Sequence, residues 1–437
     1  MQKLAPRIFR IGIAIAVMLL VAARAQAQGS ALSLAEAQRL AVAQSPQIAA
    51  QHSLVDSAGF SALNAGALPN PKLITGVEDL TISSPTAWTL QDAHTGLYIG
   101  MSQMFPGGSK RSLRTQRAEQ DASREASLLA VERAQIEREV ATAWIMQHYA
   151  DEAEAAVIAQ IDEAKLAVSA ASAGYRSDRA PQTDLIAAQA AVVDLKNRRT
   201  EVTLQAKRGR IALARYIGPD AERPLGNLPD TTKLPAAVAR FVDGDDLPEV
   251  RAAKAEEDLA VAESNLAHED RWPDWELELV YGYRGYSPTV AAQPFHAAEP
   301  GSKYGDWIAL KITIELPLFN WSNDNPLHAA KLKELDAARA MREEVRRKYV
   351  AEVQGMIAEW ESAWAQARRT RDELLPLTVQ RREAAMAAYR GGTGSLGAVL
   401  DARRAELDAK LTLIAQEQAA AKAWAWLAFV FPVSEPS

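Results

Sequence analysis

The sequence predicts a mixed but mainly α fold that is internally duplicated, each half supplying a pair of short strands and a very long helical hairpin. Three observations predict it. Proline-marked segments recur at a fixed separation, the stretch from Gly108 to Gly174 has no proline or glycine inside it, and short runs alternate apolar with polar residues. A fixed period marks one structural unit used more than once. A long run without breakers marks a helix, and alternation marks strands.

The 437 residues are 48% hydrophobic and 24% charged, close to the averages of folded proteins, which excludes disorder and collagen-like structure. Fifty-five acidic against 49 basic residues give a net charge of -6 and no electrostatic reason for a nucleic-acid partner. Cysteine is absent, which removes disulfides, thiolate metal sites, cysteine nucleophiles and a lipidated cysteine anchor.

Residues 1–27 read as a signal peptide. Lys3, Arg7 and Arg10 precede an apolar run from Ile11 to Ala23, and Ala25-Gln26-Ala27 has the small-x-small pattern of a cleavage site, so cleavage is expected before Gln28. The competing reading is a transmembrane anchor, for which the run is short against the roughly 20 apolar residues that span a bilayer. Loss of four basic residues would take the net charge from -6 to -10. No other stretch approaches a transmembrane helix, so any further membrane contact is expected through strands.

The repeat sets the organisation: a first unit over 28–217, a polar, proline-bearing connector over 218–246, and a second unit over 247–437. Pro46 and Pro248 are 202 residues apart, as are Pro71 and Pro273. Met104-Phe105-Pro106-Gly107 is answered by Glu315-Leu316-Pro317-Leu318, and Gly174-Tyr175-Arg176 by Ala388-Tyr389-Arg390. Each unit therefore reads as helix, strand, loop, strand, long helix, turn, helix.

Four strands are expected. From Trp307 to Leu316, Ile308, Leu310, Ile312, Ile314 and Leu316 alternate with Lys311, Thr313 and Glu315 among others. Glu276 to Tyr283 puts Leu277, Leu279, Tyr281 and Tyr283 on one face and Glu276 and Glu278 on the other. Lys72–Leu80 and Leu97–Phe105 alternate poorly and are assigned because the repeat requires them. Aromatic residues crowd the second-half strands and their loops, as in an interfacial girdle or, alternatively, a soluble aromatic core.

The helix from Gly108 to Gly174 would be about 100 Å long, more than a compact domain needs. Alternating steps of four and three from Leu129 to Ala171 meet apolar residues except at Arg133, Gln147 and Glu154, a coiled-coil-like seam rich in alanine. The second long helix, about Pro326 to Arg390, is expected to kink at Pro376. Return helices are expected over Pro181–Ile217 and Leu396–Phe429. Four strands cannot close a barrel, whose smallest single-chain form has about eight. Several chains must combine; three copies would give twelve strands, although two or four copies also satisfy the arithmetic.

Leu68-Pro69-Asn70-Pro71 before the first strand, Gly107-Gly108-Ser109-Lys110-Arg111 after the second, the Tyr-Arg turns at Tyr175 and Tyr389, and the helix restarts at Asp184-Leu185-Ile186 and Ala398-Val399-Leu400-Asp401 resemble the TolC-type outer membrane efflux proteins. The resemblance spans nearly all of the chain after residue 27 and lies in the order of these pieces. It implies a homotrimer with a twelve-stranded barrel among outer-membrane lipid and an α-helical barrel through the periplasm of a Gram-negative cell. A periplasmic adaptor (membrane fusion) protein and an inner-membrane RND pump are the implied partners. Pro69-Asn70-Pro71 and the Gly-Gly-Ser-Lys-Arg segment look most like the branch serving heavy-metal resistance. Two features depart from that pattern: the missing lipidated cysteine, and Gly218, which has no equivalent after Ala428-Phe429. Export of organic toxicants or type I secretion of polypeptides would use the same fold. A periplasmic coiled-coil scaffold is the alternative from another class, and it would leave the apolar strand face unburied.

The expected sites follow. The resemblance implies adaptor docking and pore gating at the hairpin turns, with Tyr175, Arg176, Asp178, Arg179 and Asp184 on the first and Tyr389, Arg390, Gly391, Gly392, Gly394 and Asp401 on the second. The residues themselves show glycines for a tight turn and charges open to a partner, against the simpler reading of solvated turns in which Asp184 and Asp401 offset helix dipoles. Glu276, Glu278, Lys311, Thr313 and Glu315 are expected to face the lumen, where wetting the interior is their simplest role. Gly392 to Gly397 matches G-x-G-x-x-G but follows a helix, so it fails as a dinucleotide motif. Six histidines lack paired ligand spacing, no cofactor is expected, and no catalytic constellation appears.

Overall fold

The computed structural model describes residues 31–83, 87–92, 94–178, 180–239, 244–285, 303–316 and 325–430. The expected signal peptide and Arg179 lie outside the described residues. In order, the elements are α1 (Leu34–Gln44), α2 (Pro46–Ala65), β1 (Lys72–Glu78), β2 (Gly96–Phe105), α3 (Lys110–Arg176), α4 (Gln182–Ile217), α5 (Ala236–Ala239), α6 (Pro248–Glu269), β3 (Trp275–Arg284), β4 (Trp307–Ile314), α7 (Pro326–Arg369), α8 (Leu375–Arg390) and α9 (Leu396–Ala428). The helix, strand, strand, helical-hairpin order thus occurs twice. The described residues divide into two compact units, one drawn from 31–51, 127–251 and 344–430, the other from 52–126 and 252–343.

The first unit is helical. Of the seam along α3, Ile136, Val140, Ala143, Ala150, Val157, Ile161, Ala164 and Ala171 are buried. Its polar interruptions find partners: Arg133 pairs with Glu137 at 3.2 Å, Gln147 donates its amide N–H to Asp151 at 2.7 Å while its buried Oε1 has no partner among the described residues, and Glu154 accepts from the Thr203 hydroxyl at 2.7 Å. Trp144, fully buried, donates its indole N–H to the Leu32 carbonyl at 3.1 Å. The connector is held by three indoles: Trp360 and Trp364 both donate to the Thr231 carbonyl and Trp424 to that of Lys233. An indole N–H must find a partner when buried, and these carbonyls belong to a segment with little regular structure of its own.

The proline expected to kink the second long helix lies directly after a local change in its winding. Thr370–Leu374 forms a π-helical turn between α7 and α8, in which the Leu375 N–H reaches the Thr370 carbonyl. Pro376 lacks an N–H and its ring crowds the carbonyl four residues back; the wider π turn makes room for both.

The second unit carries one antiparallel sheet in the order β1-β2-β3-β4. Its register pairs Lys72 with Ser102, Ser102 with Glu278, and Glu278 with Lys311, while Glu276 faces Thr313. The weakly alternating first-half strands therefore pair as fully as the others. Helical segments in this unit are tied by charge: Glu263 binds both Arg117 and Lys331 at 2.9 Å, and Arg342 binds Glu257 at 2.7 Å. Among the described residues no helix is long and apolar enough to cross a membrane.

Candidate functional site

The Gly107-Gly108-Ser109-Lys110 segment is a corner built on one carboxylate from each side of a neighbouring turn. Asp274 accepts from the Gly107 N–H and from Lys110 Nζ, both at 2.8 Å, and Glu269 accepts from the Ser109 N–H at 2.8 Å. Gly107 has no room for a side chain, since a Cβ there would lie 1.9 Å from the Pro273 carbonyl oxygen. This corner fixes where β2 ends and α3 begins, so the motif is structural.

The sheet it anchors has two unlike faces. One carries Leu73, Val77, Leu97, Ile99, Met101, Leu279, Tyr281, Ile308, Leu310, Ile312 and Ile314, all exposed, with Ile308 at 74% and Leu310 at 67%. A soluble protein rarely exposes a contiguous apolar face of that size. The opposite face holds the residues expected to line a lumen. Ser102 donates to Glu276 at 2.6 Å, Lys72 lies 3.6 Å from Glu276, and Lys311 lies 3.6 Å from Glu278. Thr313 shares this face by register. Glu315 falls just past β4, its N–H bonded to the Asp274 carbonyl.

The two hairpin turns belong to the helical unit and converge. Ala171, Ala188, Leu396 and Val399 form one buried cluster, with Leu185, Met386 and Tyr389 packed against it, so the ends of α3 and α8 meet the starts of α4 and α9. Tyr389 is thus partly buried, whereas Tyr175, Arg176, Asp178, Arg390, Gly391 and Gly392 are exposed. The second turn is a Schellman motif: the Gly392 N–H reaches the Tyr389 carbonyl, the Thr393 N–H reaches that of Ala388, and Gly392 takes φ +73°. Gly394 follows, its N–H also on the Ala388 carbonyl, and Ser395 caps α9 by accepting from the Ala398 N–H. In the first turn Asp178 itself takes φ 53°, a conformation Asp tolerates better than most residues.

Asp184 lies in the first turn of α4, as a dipole-offsetting acid should. Asp401 does not: α9 begins at Leu396, which puts Asp401 in the second turn, beside a groove of about 410 Å³ also lined by Ala164, Ala187, Ala190, Asp194 and Arg403. The helix starts at Leu396 as expected, with Ser395 supplying the cap, so it is the dipole-offsetting role of Asp401 that does not hold. Among the described residues Arg176, Asp178, Asp184, Arg390 and Asp401 make no ion pair within the chain. The charges that do pair lie further along the helices, where Arg403 meets Glu163 at 3.0 Å, Arg198 meets Asp408 at 2.6 Å and Arg382 meets Glu406 at 3.2 Å. Sequence reasoning missed these pairs because each joins two different helices, and local spacing does not fix which of their charges meet.

Residues 246–431 match the family model for outer membrane efflux proteins. The fold is similar to that of CusC, with a TM-score of 0.75 at 15% identity over 91% of both chains. It is also similar to the outer membrane protein VceC of Vibrio cholerae, with a TM-score of 0.71 at 16% identity over 92% of this chain and 97% of that one. The CmeC outer membrane channel of Campylobacter jejuni gives 0.70 at 13% identity over 92% and 87%. No curated protein matches by sequence. The family match thus covers the second repeat, and the likeness to the solved structures shows that the chain shares the fold of outer membrane efflux channels.

Proposed function

We propose that this chain is the outer-membrane channel of a tripartite efflux system, acting as a homotrimer with a periplasmic adaptor and an inner-membrane RND pump, and that it exports heavy-metal cations. The observation that carries the channel reading is the sheet, apolar and exposed on one face, ion-paired on the other, and only four strands wide. Such a sheet is satisfied when copies close edge to edge, apolar face to lipid and polar face to water. Three copies supply twelve strands.

In this reading Glu276, Glu278, Lys311, Thr313 and Glu315 keep the lumen wet without binding cargo tightly, which a conduit requires. Arg176, Asp178 and Arg390 of the hairpin turns, exposed and without an ion pair among the described residues, engage the adaptor or the neighbouring copy, and Arg179, next to Asp178 in the sequence, is assigned the same role. Asp401, at the edge of an alanine-rich groove, belongs to the same docking end. The heavy-metal assignment rests on the likeness to CusC and on the Pro69-Asn70-Pro71 and Gly107–Arg111 segments.

Deleting the gene in its native host and challenging the cells with copper, silver, zinc, cobalt, cadmium and nickel salts beside dyes, detergents and antibiotics tests the substrate class. Selective metal sensitivity, reversed by the wild-type gene, is expected. Sensitivity confined to organic compounds would overturn the metal assignment and leave the channel reading standing.

A further inference from the structure

The six histidines show no ligand spacing along the sequence, yet folding brings two of them together. His268 lies in the last turn of α6 and His328 in the first turn of α7, 60 residues apart, with ring centroids 4.9 Å apart and planes inclined by 56°. We propose that His268 and His328 form a two-imidazole site for a divalent transition-metal cation of the copper, nickel or zinc type.

The separation suits shared coordination. Two imidazoles that bind one ion at about 2.0–2.1 Å with a roughly tetrahedral bite have ring centroids about 5 Å apart. A linear, two-coordinate ion would hold the rings further apart, at roughly 6 Å, for the same bond lengths. Neither imidazole is engaged in a hydrogen bond or ion pair with another described residue, so their nitrogen lone pairs are available. His268 is exposed and His328 half-buried, which admits an ion with its remaining water ligands.

The surroundings set the chemistry. The carboxylates of α6 nearest His268 are committed, Glu269 to the Ser109 N–H and Glu263 to Arg117 and Lys331, and Asp270 just past the helix does not join the pair in a cluster among the described residues. Nitrogen donors without a free carboxylate favour copper, nickel and zinc over magnesium or calcium. Among the described residues no third histidine, aspartate or glutamate joins the pair, and Lys331 stands one turn along α7 from His328. Two protein ligands completed by water, next to a fixed positive charge, bind weakly and exchange readily. The inference does not depend on what the channel exports, because it concerns binding by this chain alone.

Full-length protein purified in detergent is titrated with copper(II) chloride and followed by calorimetry and by electron paramagnetic resonance. One site per chain in the micromolar range, with nitrogen hyperfine splitting, is expected. His268→Asn and His328→Asn should each weaken it at least about tenfold, since either removes one of two anchoring ligands. His94→Asn, at an exposed histidine near Asp92, should leave it unchanged, and circular dichroism should confirm that all three variants fold. Copper binding that survives both His268→Asn and His328→Asn unaltered would overturn the proposal, as would a signal without nitrogen coupling.

Discussion

Lys110 Nζ lies 2.8 Å from Asp274 Oδ1 across 164 residues of sequence, with only 7% of the lysine side chain and 22% of the aspartate exposed. The pair closes the corner between the sheet and α3, and Gly107 donates to the same carboxylate oxygen. Removing one partner strands a charge with little access to water. Lys110→Met is expected to cost about 3 kcal/mol, read as a lower denaturation midpoint of the purified protein. Replacing both, as Lys110→Met with Asp274→Leu, should recover part of that loss, since no lone charge is left behind. Equal stability of wild type and Lys110→Met would show that the pair contributes nothing.

Glu263 sets a pH dependence. Burial pushes its carboxyl up, but hydrogen bonds and charge from Lys331 and Arg117 outweigh it, and the net pKa falls below the ordinary 4.5. A carboxylate with a depressed folded pKa adds stability above its unfolded pKa and loses it as pH falls through the folded one. Unfolding midpoints should therefore drop below about pH 4.5, the unfolded value. Glu263→Gln should flatten that part of the profile while lowering stability at pH 7.

The hairpin turns offer a functional prediction. Arg176 and Arg390 are exposed and form no ion pair among the described residues, so reversing their charge loses only the modest interaction of each with its helix C-terminus, about 0.3–1 kcal/mol. Arg176→Glu with Arg390→Glu should leave assembly intact, lower thermal stability only slightly and abolish efflux in a complemented deletion strain. Full activity would return the turns to the simpler reading of solvated loops.

Much of this was legible in the sequence, for reasons that differ by element. The α3 seam was readable because its apolar spacing is what buries Ile136, Val140 and Val157. The strand from Trp307 was readable because one of its faces is apolar throughout. β1 and β2 were legible only through the repeat, because Gly76, Gly100 and Gln103 blur their alternation. The π turn before Pro376 escaped because a proline announces a disturbed helix without saying how the backbone accommodates it. The convergence of the two turns, the Arg403–Glu163 and Arg198–Asp408 pairs and the His268–His328 contact escaped because nothing local encodes contacts between distant helices.

The sheet's two faces predict opposite responses to charge. Leu310→Arg places a cation on the apolar face and should cost about 2–4 kcal/mol near the bilayer midplane, seen as loss of the protein from the outer-membrane fraction. Thr313→Arg, on the ion-paired face, should be retained there.

Because the chain contains no cysteine, one introduced thiol reports on one position. Ile312 and Thr313 are neighbours on β4 that point to opposite faces. The most direct measurement is labelling of Ile312→Cys and Thr313→Cys in intact outer membranes with a water-soluble maleimide. Thr313→Cys should label readily, while Ile312→Cys should be protected until detergent removes the lipid and the protein is denatured. Equal labelling of both, or protection of Thr313→Cys with Ile312→Cys open, would contradict a sheet that sets its apolar face against lipid and its polar face toward water.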